Sequence, residues 1–266
     1  MSREVILPPV KSLKGIENAY RKELNKFGRL LVNRVKADIL AFLKPHQSEW
    51  VNDAGIGWQL NRNFRKLNKE FSGTAQLAFA TNTAERVVNK TFKNSADRFD
   101  KSVESATGVD IGAAITQEGM QDFVDLSISE NVNLITSLPQ EFLKNVEIIV
   151  NKGLKSGARY ATIEKEIIGQ VGSAASGLGN RIKTIARNEI QTINAQIQLK
   201  RSEALGIRKG IYRTSKDEVV RKCHEELDGV IYEISKGAWS KTCNKFIKPG
   251  ITDINCRCSY SPILEL

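Results

Sequence analysis

Apolar positions recur three and four residues apart through most of the chain, and the first such run is the longest. Ile16, Tyr20, Leu24, Phe27, Leu31, Val35, Ile39 and Phe42 form one stripe, with Arg21, Lys22, Arg29, Arg34 and Lys36 on the opposite face. That spacing predicts an amphipathic helix of about seven turns, stopped by Pro45, whose ring cannot continue a helix. The stripe is a packing surface, either for the chain's own core or for a partner's helix. Residues 46–62, with Gly55 and Gly57, read as an irregular connector in which Trp50 and Trp58 serve as core anchors. A second helical region is expected over 63–106 with a weak point at Ser72-Gly73, and a third near 114–127. Ser137 and Gln140 have the spacing of a capping box, with Pro139 in the first turn, so a new helix is expected to start there. Its apolar face is Phe142, Leu143, Val146, Ile149 and Val150, with Gly153 placed to cap its end. A short helix near Thr162 and a hinge or loop over 172–179 come next. Ile182, Ile185, Ala186, Ile190, Ile193 and Ile197 then mark a helix over 180–204.

After Gly206 the texture changes. Short β-like pieces at 210–213, 230–234 and 257–260 are separated by Asp228-Gly229, Pro249-Gly250 and Pro262. The fold expected is mainly α: a long helical N-terminal body with a small C-terminal α+β module. The domains expected are a helical body over 1–178 and, over 179–266, a helix plus the compact module.

Charge sharpens this picture. The 266 residues carry a net charge of +10, divided as +5 over 1–50, −1 over 51–180 and +6 over 181–266. Two basic ends around a neutral middle suit an anionic neighbour such as double-stranded DNA, contacted without sequence preference. The same charges, being interspersed, also suit an ordinary solvated surface. No apolar run approaches the ~18 residues of a membrane span, and the first residues lack a secretory apolar segment. Synthesis in a cytoplasm, with thiols reduced, is therefore expected. All four cysteines follow position 220, so they belong to one local feature.

The most specific pattern lies in the C-terminal module. It comprises IARNE, with Arg187 and Glu189; DEVVRKCHEELDG, with Asp217, Arg221, His224, Asp228 and Gly229; and KPGITDINCRC, with Asn255, Cys256, Arg257 and Cys258. In order and spacing these motifs resemble the minor head protein family of tailed bacteriophages, typified by the phage Mu F protein. Asn188 stands where that family usually has Thr. The stretch Ile251 to Ile254 lacks a His that many members carry just before Asn-Cys. The resemblance implies a non-enzymatic role in head morphogenesis, with portal, capsid and scaffold proteins and packaged DNA as partners. It also implies a place in the virion after assembly in the host cytoplasm. Some relatives carry a toxin or enzyme domain after the N-C-R-C motif. This chain stops eight residues after Cys258, and no such domain is expected.

Residue by residue, the motif positions have structural uses. Arg187 can pair with Asp217 or Asp228, and Glu189 with Arg221. Asp228-Gly229 is a turn signal, Asn255 can bond backbone in the loop that follows, and Arg257 offers a five-donor fork. Three states are open to the cysteines: zinc held by His224, Cys243, Cys256 and Cys258, a disulfide such as Cys243 to Cys256, or reduced thiols packed with His224. Two other functions compete with head assembly. One is a cytoplasmic nucleic-acid-binding protein with a metal-stabilised C-terminal module. The other is an enzyme using His224 and a cysteine thiolate, although no phosphate-binding glycine loop, G-x-S-x-G or H-E-x-x-H is present.

Overall fold

The computed structural model describes residues 4–9, 12–46, 54–111, 118–171 and 177–265. Trp50 and residues 172–176 of the expected hinge lie outside them. The chain is mainly helical with a small C-terminal β region, as its periodicity predicts. Its helices are α1 (Lys14–Val35), α2 (Ala41–Leu43), α3 (Ala54–Phe71), α4 (Thr74–Thr107), α5 (Glu118–Lys155), α6 (Tyr160–Gly169), α7 (Leu178–Ala204) and α8 (Lys222–Glu225). The strands are β1 (Glu4–Ile6), β2 (Lys209–Arg213), β3 (Ile231–Glu233), β4 (Ala238–Ser240), β5 (Lys245–Ile247) and β6 (Ser259–Glu265).

Contacts divide the chain into two units that are interleaved in sequence rather than meeting at 178/179. One comprises 1–17, 86–127 and 187–266; the other comprises 18–85 and 128–186.

The second unit is helical. The α1 stripe is buried within the chain at Tyr20, Leu24, Phe27, Leu31 and Val35, so it is not a free docking face. Tyr20 also donates its hydroxyl proton to Asn131 Oδ1 on α5 at 3.0 Å. The run to Pro45 is not one uniform helix, because Lys36–Leu40 form a π turn before α2. Asn63 of α3 donates its side-chain amide to the Asp38 carbonyl at 2.9 Å, a side-chain insertion of the kind that loosens a helical ladder. Helix α3 starts at Ala54, inside the stretch expected to be a connector. Trp58 on it is 64 % exposed, with the Arg62 guanidinium 5.8 Å from its ring centroid, so it is not a core anchor. The expected break at Ser72-Gly73 does separate α3 from α4.

No new helix starts at Ser137. Helix α5 runs straight through Pro139, and Ser137 donates its hydroxyl to the Leu134 carbonyl at 2.7 Å. An interior proline costs ~3 kcal/mol. Burial of Ile135, Leu138, Phe142, Leu143, Val146 and Val150 along one face outweighs it, at about 1.5–3 kcal/mol per large apolar side chain. Gly153 is likewise inside the helix. Its missing side chain makes room for Ile163, whose Cγ1 and Cδ1 would lie 2.5 Å from a Cβ there. The left-handed residue after the helix is Gly157, at φ +65°.

The first unit carries the sheet, in the order β1-β6-β2-β3 with antiparallel neighbours, and a separate β4–β5 hairpin. The strand expected at 257–260 begins only at Ser259. Its register sets Tyr212 opposite Tyr260 and Ile211 opposite Ser261. The core gathers Leu7, Phe99, Val103, Ile207, Tyr212, Leu227, Tyr232, Ile247 and Tyr260. Within this unit α4 and α7 meet through small and amide side chains, Gln198 donating to the Ser95 carbonyl at 2.9 Å. Arg201, nearly fully buried, pairs with Asp100.

Candidate functional site

Three short elements of the first unit converge on one buried pocket. Helix α8 is preceded by Arg221 in an extended conformation, and its single turn places Cys223 and His224 inward, both buried. Tyr212 comes from the middle of β2. The loop after β5 supplies Gly250, Asp253, Cys256 and Cys258. This loop can fold tightly because Gly250 (φ +74°) and Asn255 (φ +59°) both adopt left-handed backbone, which glycine and asparagine tolerate best.

His224 is the hub. Its Nδ1 lies 3.2 Å from Tyr212 Oη, 3.4 Å from Cys256 Sγ and 3.5 Å from Cys258 Sγ. Its Nε2 lies 2.9 Å from Asp253 Oδ2. The other Asp253 oxygen accepts from Lys245 Nζ at 2.7 Å. The Gly250 N–H points at Cys256 Sγ at 3.4 Å. A carboxylate only accepts hydrogen bonds, so Nε2 carries the proton and a neutral imidazole keeps its lone pair on Nδ1.

Electrostatics follow from these contacts. Burial pushes the Asp253 carboxyl up, but hydrogen bonds from Lys245 and His224 outweigh burial and hold it below its ordinary range. The hydrogen bond with Cys256 raises the His224 pKa against burial, and Asp253 adds to the rise. The hydrogen bond from Cys258 draws Cys256 down, and the bond to Cys256 pushes Cys258 up. Burial, chiefly, pushes the Tyr212 phenol up.

The other motif residues brace this pocket, with partners that differ from those expected. Arg187 pairs with Glu17 at 3.6 Å rather than with Asp217 or Asp228. Glu189 is buried and accepts from Asn188 Nδ2 at 3.0 Å, while Arg221 donates instead to the Ile254 carbonyl at 2.9 Å. Asp217 pairs with Arg257 at 2.7 Å. Asp228 accepts from the Thr214 N–H at 2.8 Å, and Gly229 at φ +82° completes the turn into β3. Asn255 receives its backbone bond from Asn188, its N–H donating to Asn188 Oδ1 at 2.9 Å. Arg187, Arg221, Arg257 and Asn255 also border a cleft of about 210 Å³ that reaches His224 and both free cysteines.

Cys243 does not belong to this cluster. It is bonded to Cys223, with the two Cα atoms 5.6 Å apart, and Cys256 and Cys258 are free. This corrects both the four-residue ligand set and the Cys243–Cys256 pairing: α8 turns Cys223 toward the end of the β4 segment while its neighbour His224 faces the loop. Tyr212, Asp253 and Lys245 were not singled out from the sequence. Asp253 had a signal, since it lies within Ile251 to Ile254, where the resembled family often carries a His.

Comparisons with known proteins agree with the motif. Residues 144–261 match the family model described as phage Mu protein F like protein. An uncharacterized protein of Haemophilus influenzae (strain Rd) is 26 % identical over 259 residues, which is 97 % of this chain and 55 % of that protein. The chain thus spans about half the length of the curated relative it matches. No solved structure matches. Among the described residues no helix is long and apolar enough to cross a membrane. With its three motifs gathered around His224 inside the matched segment, residues 144–261 of this chain are similar to the phage Mu protein F like family.

Proposed function

We propose that this protein is a minor head protein of a tailed bacteriophage, a non-enzymatic assembly component that associates with the portal and lies near the packaged DNA. The observation that carries the reading is the family match over residues 144–261, whose motif side chains bond within the module. Asp217 with Arg257, Arg221 with Ile254 and Asp228 with Thr214 hold the module together. His224, Cys256 and Cys258 are all buried, so the hub is built to hold the module's shape. Capsid and scaffold proteins are the remaining expected partners. The net charge of +10 supports weak, sequence-independent contact with double-stranded DNA, with Kd ~10⁻⁴–10⁻⁶ M falling steeply in affinity as salt rises.

The test is co-sedimentation of the protein with procapsids assembled with and without portal. Incorporation only when portal is present is the expected result. Equal recovery in both, or in neither while DNA binding persists, overturns the portal reading and leaves a nucleic-acid-binding protein.

A further inference from the structure

We infer that His224 Nδ1, Cys256 Sγ and Cys258 Sγ form a zinc-class metal site, with the Tyr212 hydroxyl at the fourth corner. The three ligand atoms belong to one buried group and lie within 4.8 Å of one another. The inference does not rest on the head-assembly reading, and either can fail without the other.

The distances carry the argument. In a tetrahedral zinc site with metal–nitrogen about 2.0–2.1 Å and metal–sulfur about 2.3 Å, a nitrogen and a sulfur ligand stand about 3.5–3.6 Å apart. An oxygen ligand at about 2.0 Å stands about 3.3 Å from the nitrogen. The observed separations from His224 Nδ1 are 3.4 and 3.5 Å to the sulfurs and 3.2 Å to the phenol oxygen. All three neighbours thus sit at the distance from Nδ1 that a shared tetrahedral ion sets.

His224 Nδ1 offers one lone pair to three neighbours, the Tyr212 hydroxyl and the two cysteine sulfurs, so hydrogen bonding engages it with only one of them at a time. A single cation engages all four atoms at once. The surroundings have the form that orients a metal-bound histidine: its far nitrogen bonds a carboxylate, and that carboxylate is itself held. Asp253 and Lys245 fill these two roles. The Gly250 N–H directed at Cys256 Sγ favours the thiolate form that a metal requires.

The site is also narrower in sequence than zinc pairs usually are. Cys-x-Cys in extended backbone sends both side chains to one face, because residues two apart in sequence point the same way. The pair lies between the left-handed Asn255 and the start of β6 at Ser259, and both sulfurs reach the same nitrogen.

The test uses the full chain, purified in reducing buffer without chelator or added metal. Zinc content is measured by elemental analysis, and cobalt(II) is then exchanged in as a spectroscopic probe. The expected result is about one zinc per chain, with cobalt giving a near-ultraviolet sulfur-to-metal band and intense visible bands of tetrahedral coordination. Cys256→Ser and Cys258→Ser should each lose the metal, while the double variant Cys223→Ser/Cys243→Ser should keep it. Asp253→Asn, a change to a positioning residue, should weaken metal affinity by about 10–100-fold. Wild-type protein that holds no stoichiometric zinc, takes up none on titration and shows no sulfur–cobalt band overturns the site without recourse to any variant. Retention of zinc by Cys256→Ser and its loss from the Cys223/Cys243 double variant would place the metal elsewhere.

Discussion

Replacing Gly250 with alanine isolates how tightly the loop of the cysteine cluster is held. Gly250 sits at φ +74°, and a Cβ there would stand 3.0 Å from Ala195 Cβ and 3.2 Å from Gln191 Nε2, both on α7. Left-handed backbone costs a residue with a Cβ about 1–2 kcal/mol. Forcing a methyl against a packed helix adds about 1–3 kcal/mol, and restricting the unfolded chain returns about 0.4–1 kcal/mol. The net loss is about 3 kcal/mol, or roughly 6–12 °C in Tm for a chain of this size. Gly229 is the internal control. Its φ is +82° but nothing lies within 4 Å of its would-be Cβ, so Gly229→Ala meets the backbone cost alone, about 1 kcal/mol net. Urea denaturation followed by far-ultraviolet circular dichroism measures both. Equal losses for the two variants would refute the close approach of the loop to α7. A Gly250→Ala protein as stable as wild type would refute the backbone geometry as well.

Asp100→Ala should destabilise the protein by about 3–5 kcal/mol, because it strands the buried Arg201 guanidinium without its carboxylate. Urea midpoints check this, and Asp100→Leu combined with Arg201→Met should recover much of the loss. Glu226 accepts from Ser240 Oγ, then from Thr242 Oγ1 and the Thr242 N–H, and these bonds hold its carboxyl below the ordinary 4.5. Since the folded value is the lower one, the stabilisation is complete above about pH 4.5 and is lost as pH falls through the folded value. Thermal melts of Glu226→Gln should therefore fall below wild type at neutral pH and converge with it in acid. Reducing the Cys223–Cys243 bond, which spans 20 residues, should cost about 3 kcal/mol, read as a lower urea midpoint in dithiothreitol than in oxidised buffer.

Helix positions were legible because burial follows period. Every third or fourth apolar residue from Ile16 to Ile39 is buried, and the break at Ser72-Gly73 is local chemistry. Pro139 misled because its cost is also local, while the burial of Leu138 and Phe142 that outweighs it is tertiary. Trp58 misled for the converse reason: a large apolar side chain says nothing of which face it lies on until the helix start is known. The β1 and β4–β5 strands are three residues each, too short to display alternation. Within the site, His224, Cys256 and Cys258 stood out by residue type. Tyr212, Asp253 and Lys245 did not, because a tyrosine in a strand and an acid and a lysine in polar surroundings are ordinary in sequence. Asp253 takes its role from the turn between Gly250 and Asn255, and Tyr212 and Lys245 take theirs from their places on β2 and β5.

The sheet order has a consequence for how the protein is made. Strand β6 lies between β1 and β2, and Glu4 pairs with Glu265. A ribosome therefore releases β1 long before its neighbour β6 exists, and β2 waits with one side open as well. No early hairpin can supply this pairing, so it is among the least local contacts the chain can form, and such contacts are slow to close. The helices can consolidate on the nascent chain, but the sheet is completed after synthesis has passed Glu265. A chain halted before Ser259 would carry two unsatisfied strand edges into the cell.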